Sequence, residues 1–267
     1  MRLATILTKA APQAVVLNGD QFATIEGTIR DLAAAGSGAL RRSGEWQPTG
    51  GVQFAPVVPD PGAIYTIGHN YGTPGEPAGA RTPRPLVYGK AASSVAGHGA
   101  RLAWDRSLTD NVDAEVELGV VIGAEAASVP IERALEHVFG YTIINDVSSR
   151  DEWLDGDQWL LGKSLPGFCP VGPWLVTADE LDVAELRLGC TINGQAVQDG
   201  STSQMRYGIA EIVSYLSRHL TLRPGDLIAT GTPARLASPP GPGRRLRAGD
   251  EVTAWIEGIG GLSTTIA

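Results

Sequence analysis

Apolar and polar residues along this chain mostly follow a period of two, in short runs bounded by Gly and Pro, and few stretches follow the helical period. The clearest run is Asn111-Val112-Asp113-Ala114-Glu115-Val116-Glu117-Leu118-Gly119-Val120-Val121-Ile122-Gly123, which alternates, then becomes continuously apolar and ends at a glycine. That is the pattern of a strand leaving a wet cavity for a core. Further strands are predicted over residues 64–67, 86–88, 140–147, 174–177 and 252–256, with hairpins over residues 5–17 about Pro12 and over residues 186–196 about Asn193-Gly194. Residues 222–233 read as turn, strand and a Gly-Thr loop. Helical spacing is confined to residues 28–35, stopped by Gly36, residues 131–138, opened by Pro130, and residues 209–218. The pattern predicts a mixed, β-rich α+β fold.

A Pro-rich break, Val57-Val58-Pro59-Asp60-Pro61-Gly62, divides the chain into a small N-terminal lobe over residues 1–56, structural or dimer-supporting, and a larger domain over residues 60–267. Residues 72–85 are almost wholly Gly, Pro, Ala, Thr, Arg and Glu without periodicity, the composition of a long surface loop and a candidate lid. Thirty-four glycines and 18 prolines fit many short strands and tight turns. A net charge of −8 argues against nucleic acid or an anionic membrane as partner. No apolar run is long enough to span a bilayer, and the short apolar start is cut by Lys9 with no cleavage signature. Cys169 and Cys190 lack metal or redox spacing and read as reduced core thiols, so a cytoplasmic location is expected.

The chemistry begins with Glu115 and Glu117. Alternate strand residues share a face, so the two carboxylates stand side by side while Val116 and Leu118 face the core. At an effective dielectric near 20 such a pair repels by about 2–3 kcal/mol, a cost with little purpose unless a cation lies between them. Glu-x-Glu is also common on solvated strands, and a lone Asp146 at a strand end is commonly a turn former or cap. Taken together the three make an all-oxygen ligand set suited to Mg²⁺ or Mn²⁺, with Ca²⁺ also compatible, rather than zinc. Only three protein ligands leave room for water and a bidentate 2-oxo acid or β-diketone enolate. Lysine is scarce: of 21 basic residues only Lys9, Lys90 and Lys163 are lysines, and the last two sit in apolar surroundings.

The ordered blocks Gly68-His69-Asn70-Tyr71, residues 86–90, Val112-Asp113-Ala114-Glu115-Val116-Glu117-Leu118, Gly140-Tyr141 to Asn145-Asp146, Lys163-Ser164, Cys169-Pro170-Val171-Gly172-Pro173-Trp174, Asn193-Gly194, Gln198-Asp199-Gly200 and Thr230-Gly231-Thr232-Pro233 are similar to those of the fumarylacetoacetate hydrolase family, over residues 60–267 at least. The resemblance implies a β-roll-like catalytic domain, usually in a homodimer, with a divalent metal on Glu115, Glu117 and Asp146. It implies Lys163 as the active-site lysine and Thr232 as holder of a substrate carboxylate. Tyr71, Lys90 and Gln198 fall in matching blocks and join Thr232 as substrate-binding candidates. Two departures stand out. Hydrolytic members carry Asn-Tyr-x-x-His-x-x-Glu in the lid, whereas here Pro74 replaces the histidine and Glu76 comes one position early. Proline is no base, which leaves His69 and Glu76 as catalytic candidates. The family's Gly-Thr-Pro-x-Gly ends here in Arg235, which either narrows the pocket or pairs with a substrate carboxylate.

The expected activity is that of a metal-dependent enzyme on a small 2-oxo or enol carboxylic acid or 1,3-diketo acid, through a metal-stabilised enolate. C–C hydrolysis competes with isomerisation, tautomerisation, dehydration or decarboxylation, which need no lid histidine. A catalytically silent metal- or ligand-binding homologue is the alternative, and it predicts metal binding without turnover.

Overall fold

The computed structural model describes residues 1–72, 76, 80–151, 158–236 and 245–267. Pro74 and most of the predicted lid's first half, and the middle of the polar loop before Gln158, lie outside the described residues. The run that alternates and then turns apolar forms the strand Val116–Ile122, every residue of which is buried. It pairs antiparallel with Val138–Asn145, Leu118 opposite Ile143, and on its other side with Leu227–Ala229. Gly119 makes the close approach possible: a Cβ there would lie 2.8 Å from Ile144 Cγ1.

These strands are the middle of an eleven-stranded sheet. Beyond Leu227–Ala229 come Ile64–Gly68, which runs parallel to it, and the edge strand Leu86–Lys90. On the other side, Cys169–Thr177 pairs with Val138–Asn145 and then with Arg2–Leu7, Leu3 opposite Leu175. Residues 1–48 therefore extend the same sheet, and Leu3, Ile25 and Ile29 share one core with Val121, Ile144 and Leu227. A second, five-stranded sheet is built on the hairpin Arg187–Ile192 and Gln195–Ser201. Its turn residues Asn193 and Gly194 both have positive φ, as a type I′ turn demands. The result is the mixed, strand-rich α+β fold that the pattern predicts.

Ile209–Ser217 is an α-helix that buries Ile209, Ile212, Val213 and Leu216, the i, i+3, i+4, i+7 stripe of an amphipathic helix. Ile29–Ala35 is capped by Thr28 in a reciprocal box with Asp31 and ends at Gly36. The helix expected over residues 131–138 is instead a run of 3₁₀ turns, Ile131–His137. It buries only Ala134 and has no side-chain N-cap, so nothing offsets the cost of nucleating α-helix in so short a segment. No helix among the described residues is long and apolar enough to cross a membrane.

Candidate metal centre and active site

Two adjacent strand ends build the site. Glu115 donates its N–H to Asn145 Oδ1 (3.0 Å), and Asp146 donates its N–H to the Glu115 carbonyl (2.8 Å), so the strands cannot splay where Glu115 and Asp146 emerge. The strand alternation turns Glu117 to the same side as Glu115. One carboxylate oxygen from each of Glu115, Glu117 and Asp146 lies within 4.8 Å of the others.

Cations crowd the three acids unevenly. Lys163 Nζ donates to Asp146 Oδ2 (2.7 Å), Glu115 Oε2 (3.0 Å) and Ser148 Oγ (2.7 Å). Lys90 Nζ donates to Asp146 Oδ1 at 2.5 Å and to the Val147 carbonyl, and Tyr88 adds its hydroxyl. Arg150 pairs with the other Glu115 oxygen. Burial by itself would raise the pKa of both Asp146 and Glu115, but these neighbours outweigh it and hold the two carboxyls below their ordinary values. Glu117 is the exception. Its carboxylate, 1% exposed, accepts the Gly231 N–H (2.6 Å), and burial together with the charges of Asp146 and Glu115 pushes its pKa well up. Gly231 needs its φ of +98° to aim that N–H, and a Cβ there would meet Asn70 Cβ at 2.6 Å.

Glu115, Glu117 and Lys163 line a cavity of about 450 Å³, with Asp146 buried behind them, and His69, Tyr71, Thr232 and Arg235 also line it. His69 takes a left-handed φ of +53° and sets its ring edge against Trp159. The Tyr71 hydroxyl is buried with no hydrogen-bond partner among the described residues, and burial followed by the Glu117 charge pushes its pKa far up, so it stays a neutral donor. Thr232 donates its hydroxyl to the Val116 carbonyl (2.7 Å) and accepts from Gln198 Nε2 (2.7 Å). Gln198 is 2% exposed and also bonds Val116 N–H and the Pro233 carbonyl, so it braces the Gly231-Thr232 loop against the metal strand. Lys90 does not line the cavity; its ammonium is wholly buried beneath Asp146. Glu76 stands outside the described lining and pairs with Arg206, whose chain neighbour Tyr207 holds the Asn70 side chain through its backbone N–H and carbonyl. Arg150 and Ser148 contact the triad directly and were not singled out by sequence; the signal was their place just after Asp146.

Three converging carboxylates, one of them short of positive charge, suit a hard divalent cation, which would bind Glu115, Glu117 and Asp146. Such binding competes with protonation of Glu117, whose pKa is held above the usual carboxylate range. Metal affinity is therefore expected to fall as pH is lowered. Calorimetry in buffers of different ionisation enthalpy should show proton release on Mg²⁺ or Mn²⁺ binding. Saturating metal should raise the melting temperature, by about 2.7 kcal/mol of stability at a hundredfold excess over Kd, and EDTA should reverse it. Binding without proton release and with no thermal shift would contradict the assignment.

Residues 63–267 match the family model described as fumarylacetoacetate (FAA) hydrolase, C-terminal. The chain belongs to the fumarylacetoacetate hydrolase family. It is 40% identical over 217 residues to an uncharacterised protein of Staphylococcus aureus strain USA300, covering 81% of this chain and 72% of that one. The crystal structure of 5-carboxymethyl-2-hydroxymuconate delta-isomerase from Mycobacterium smegmatis superposes with a TM-score of 0.86 at 31% identity, covering 100% of this chain and 99% of that one. A maleylpyruvate hydrolase from Sphingobium sp. SYK-6, solved with manganese (II) and pyruvate, superposes with a TM-score of 0.81 at 26% identity over the same shares.

Proposed function

We propose that this protein is a divalent-metal-dependent enzyme acting on a small 2-oxo or enol carboxylic acid, or a 1,3-diketo acid, by way of an enolate. The observation that carries the reading is the convergence of Glu115, Glu117 and Asp146 beside Lys163, with both glutamates and the lysine lining the 450 Å³ cavity. The similar Sphingobium hydrolase, with Mn²⁺ and pyruvate, and the similar mycobacterial isomerase support it. A bound hard cation would supply Lewis-acid polarisation of a substrate carbonyl oxygen.

The chain's own residues supply the rest. Lys163 presents a buried ammonium next to the triad and stabilises negative charge developing on a substrate oxygen. Tyr71 brings a donor with no partner among the described residues, ready for a substrate oxygen. His69 lines the cavity and is the group that moves a proton to or from carbon. Glu76, engaged with Arg206, has to change partner before it can orient water. With Pro74 in the family's histidine position, water activation lacks its usual base, a loss of about 10²–10⁴-fold. Enolisation is less demanding. The protein is accordingly expected to exchange the C3 protons of pyruvate or oxaloacetate in D₂O faster than it cleaves an acylpyruvate, with NMR exchange and a cleavage assay run side by side. Efficient cleavage without faster exchange would overturn this ordering, and His69→Ala and Glu76→Ala would then identify the base.

A further inference from the structure

The edge strand Leu86–Lys90 reaches the site with two side chains. Alternation turns Tyr88 and Lys90 to the same face, and both meet Asp146. Lys90 Nζ takes Oδ1 at 2.5 Å, and Tyr88 donates its hydroxyl to Oδ2 at 3.1 Å. A carboxylate held at both oxygens from one strand cannot swing about its own axis. Lys90 is buried beneath the acid, whereas Tyr88 also lines the cavity. We propose that Tyr88 is a positioning residue with two separable parts: its hydroxyl sets the Asp146 carboxylate for a divalent ion, and its ring face keeps the Lys163 ammonium in the cavity when such an ion is bound. The inference rests on the function proposed above and adds a residue to that site.

The ring supplies the second argument. Lys163 Nζ lies 5.0 Å from the Tyr88 ring centroid, within the range of cation–π attraction. The Trp159 ring stands edge-on to Tyr88, with centroids 4.9 Å apart and planes at 86°, which fixes the tilt of the face that Lys163 meets. Lys163 now grips Asp146 and Glu115, and a divalent ion on those carboxylates would offset the negative charge that holds it. The Ser148 hydroxyl, at 2.7 Å, and the Tyr88 face carry no net charge, so their hold does not depend on the two acids. The Lys163 side chain is 8% exposed, and a cation–π contact strengthens when the cation is desolvated. A phenol meets both demands; a plain phenyl ring meets only the second.

The test compares the parent with Tyr88→Phe and with phenylalanines carrying one or three ring fluorines at position 88, which keep the shape while draining the ring's negative face. Calorimetry reads Mn²⁺ affinity, and NMR reads C3 proton exchange of pyruvate in D₂O at saturating Mn²⁺ and pyruvate. Tyr88→Phe should bind Mn²⁺ about 10–100-fold more weakly, as when a metal ligand loses its outer partner, yet exchange within about threefold of the parent once saturated. Three fluorines should then slow exchange by a further factor of about 3–30, and one fluorine by less, with Mn²⁺ affinity unchanged from Tyr88→Phe. A ring that only filled space would give no such gradation. A Tyr88→Phe protein that binds Mn²⁺ as tightly as the parent, or a fluorinated series with no graded loss of rate, would overturn the inference while leaving the proposed function standing. A parent that neither binds Mn²⁺ nor exchanges pyruvate protons would overturn the proposed function itself, and the inference with it.

Discussion

Glu117→Gln is expected to abolish binding of Mg²⁺ and Mn²⁺ over the range in which the parent saturates. The substitution keeps the volume and an oxygen for the Gly231 N–H but removes the only carboxylate of the triad whose pKa is held up rather than down. The affinity loss should exceed the roughly 10–100-fold that follows from disturbing a ligand's outer partner, because a ligand itself is lost. The same change should stabilise the metal-free fold. An acid whose folded pKa lies above its unfolded value loses stability as pH rises between the two, and glutamine has no proton to lose. Near neutral pH the variant should therefore melt higher than the metal-free parent and show no shift on adding metal. Retained affinity, or a fall in metal-free melting temperature, would count against Glu117 as a ligand.

Lys163→Met is expected to lower turnover by about 10²–10⁴-fold, the range for losing a positioned proton-transfer or charge-stabilising group. Metal binding should survive and tighten, because the ammonium that now lies 2.7 Å from Asp146 and 3.0 Å from Glu115 repels an incoming cation. This opposite movement of metal affinity and rate separates a catalytic lysine from one that merely balances charge. A variant that loses less than about tenfold in rate would assign Lys163 to the balancing role alone.

What the sequence made legible follows from how local each signal is. A period of two decides which face a strand residue takes, so Glu115 and Glu117 on one side and Val116 and Leu118 on the other were readable before any packing was known. Asn193-Gly194 likewise fixed its hairpin. The partner that Gln198 braces, the Gly231-Thr232 loop, comes from a different stretch and left no mark in the local pattern. Nor did the pairing of Arg2–Leu7 with Cys169–Thr177, which joins segments far apart in the chain. Lys90 looked like a cavity residue because a lysine in apolar surroundings asks for a purpose; its purpose in the fold is to hold Asp146 from beneath. Arg150 escaped notice because Ser148-Ser149-Arg150-Asp151 has no periodicity, and only the folded chain sets its guanidinium against Glu115.

The most direct measurement is a crystal structure of the protein grown with Mn²⁺ and oxalate, with anomalous data collected at the manganese edge. The account predicts one strong anomalous peak bounded by Glu115, Glu117 and Asp146, oxalate bound to that ion within the cavity, and Lys163 turned toward an oxalate oxygen. A peak elsewhere, or no peak with Lys163 still bridging Glu115 and Asp146, would contradict it.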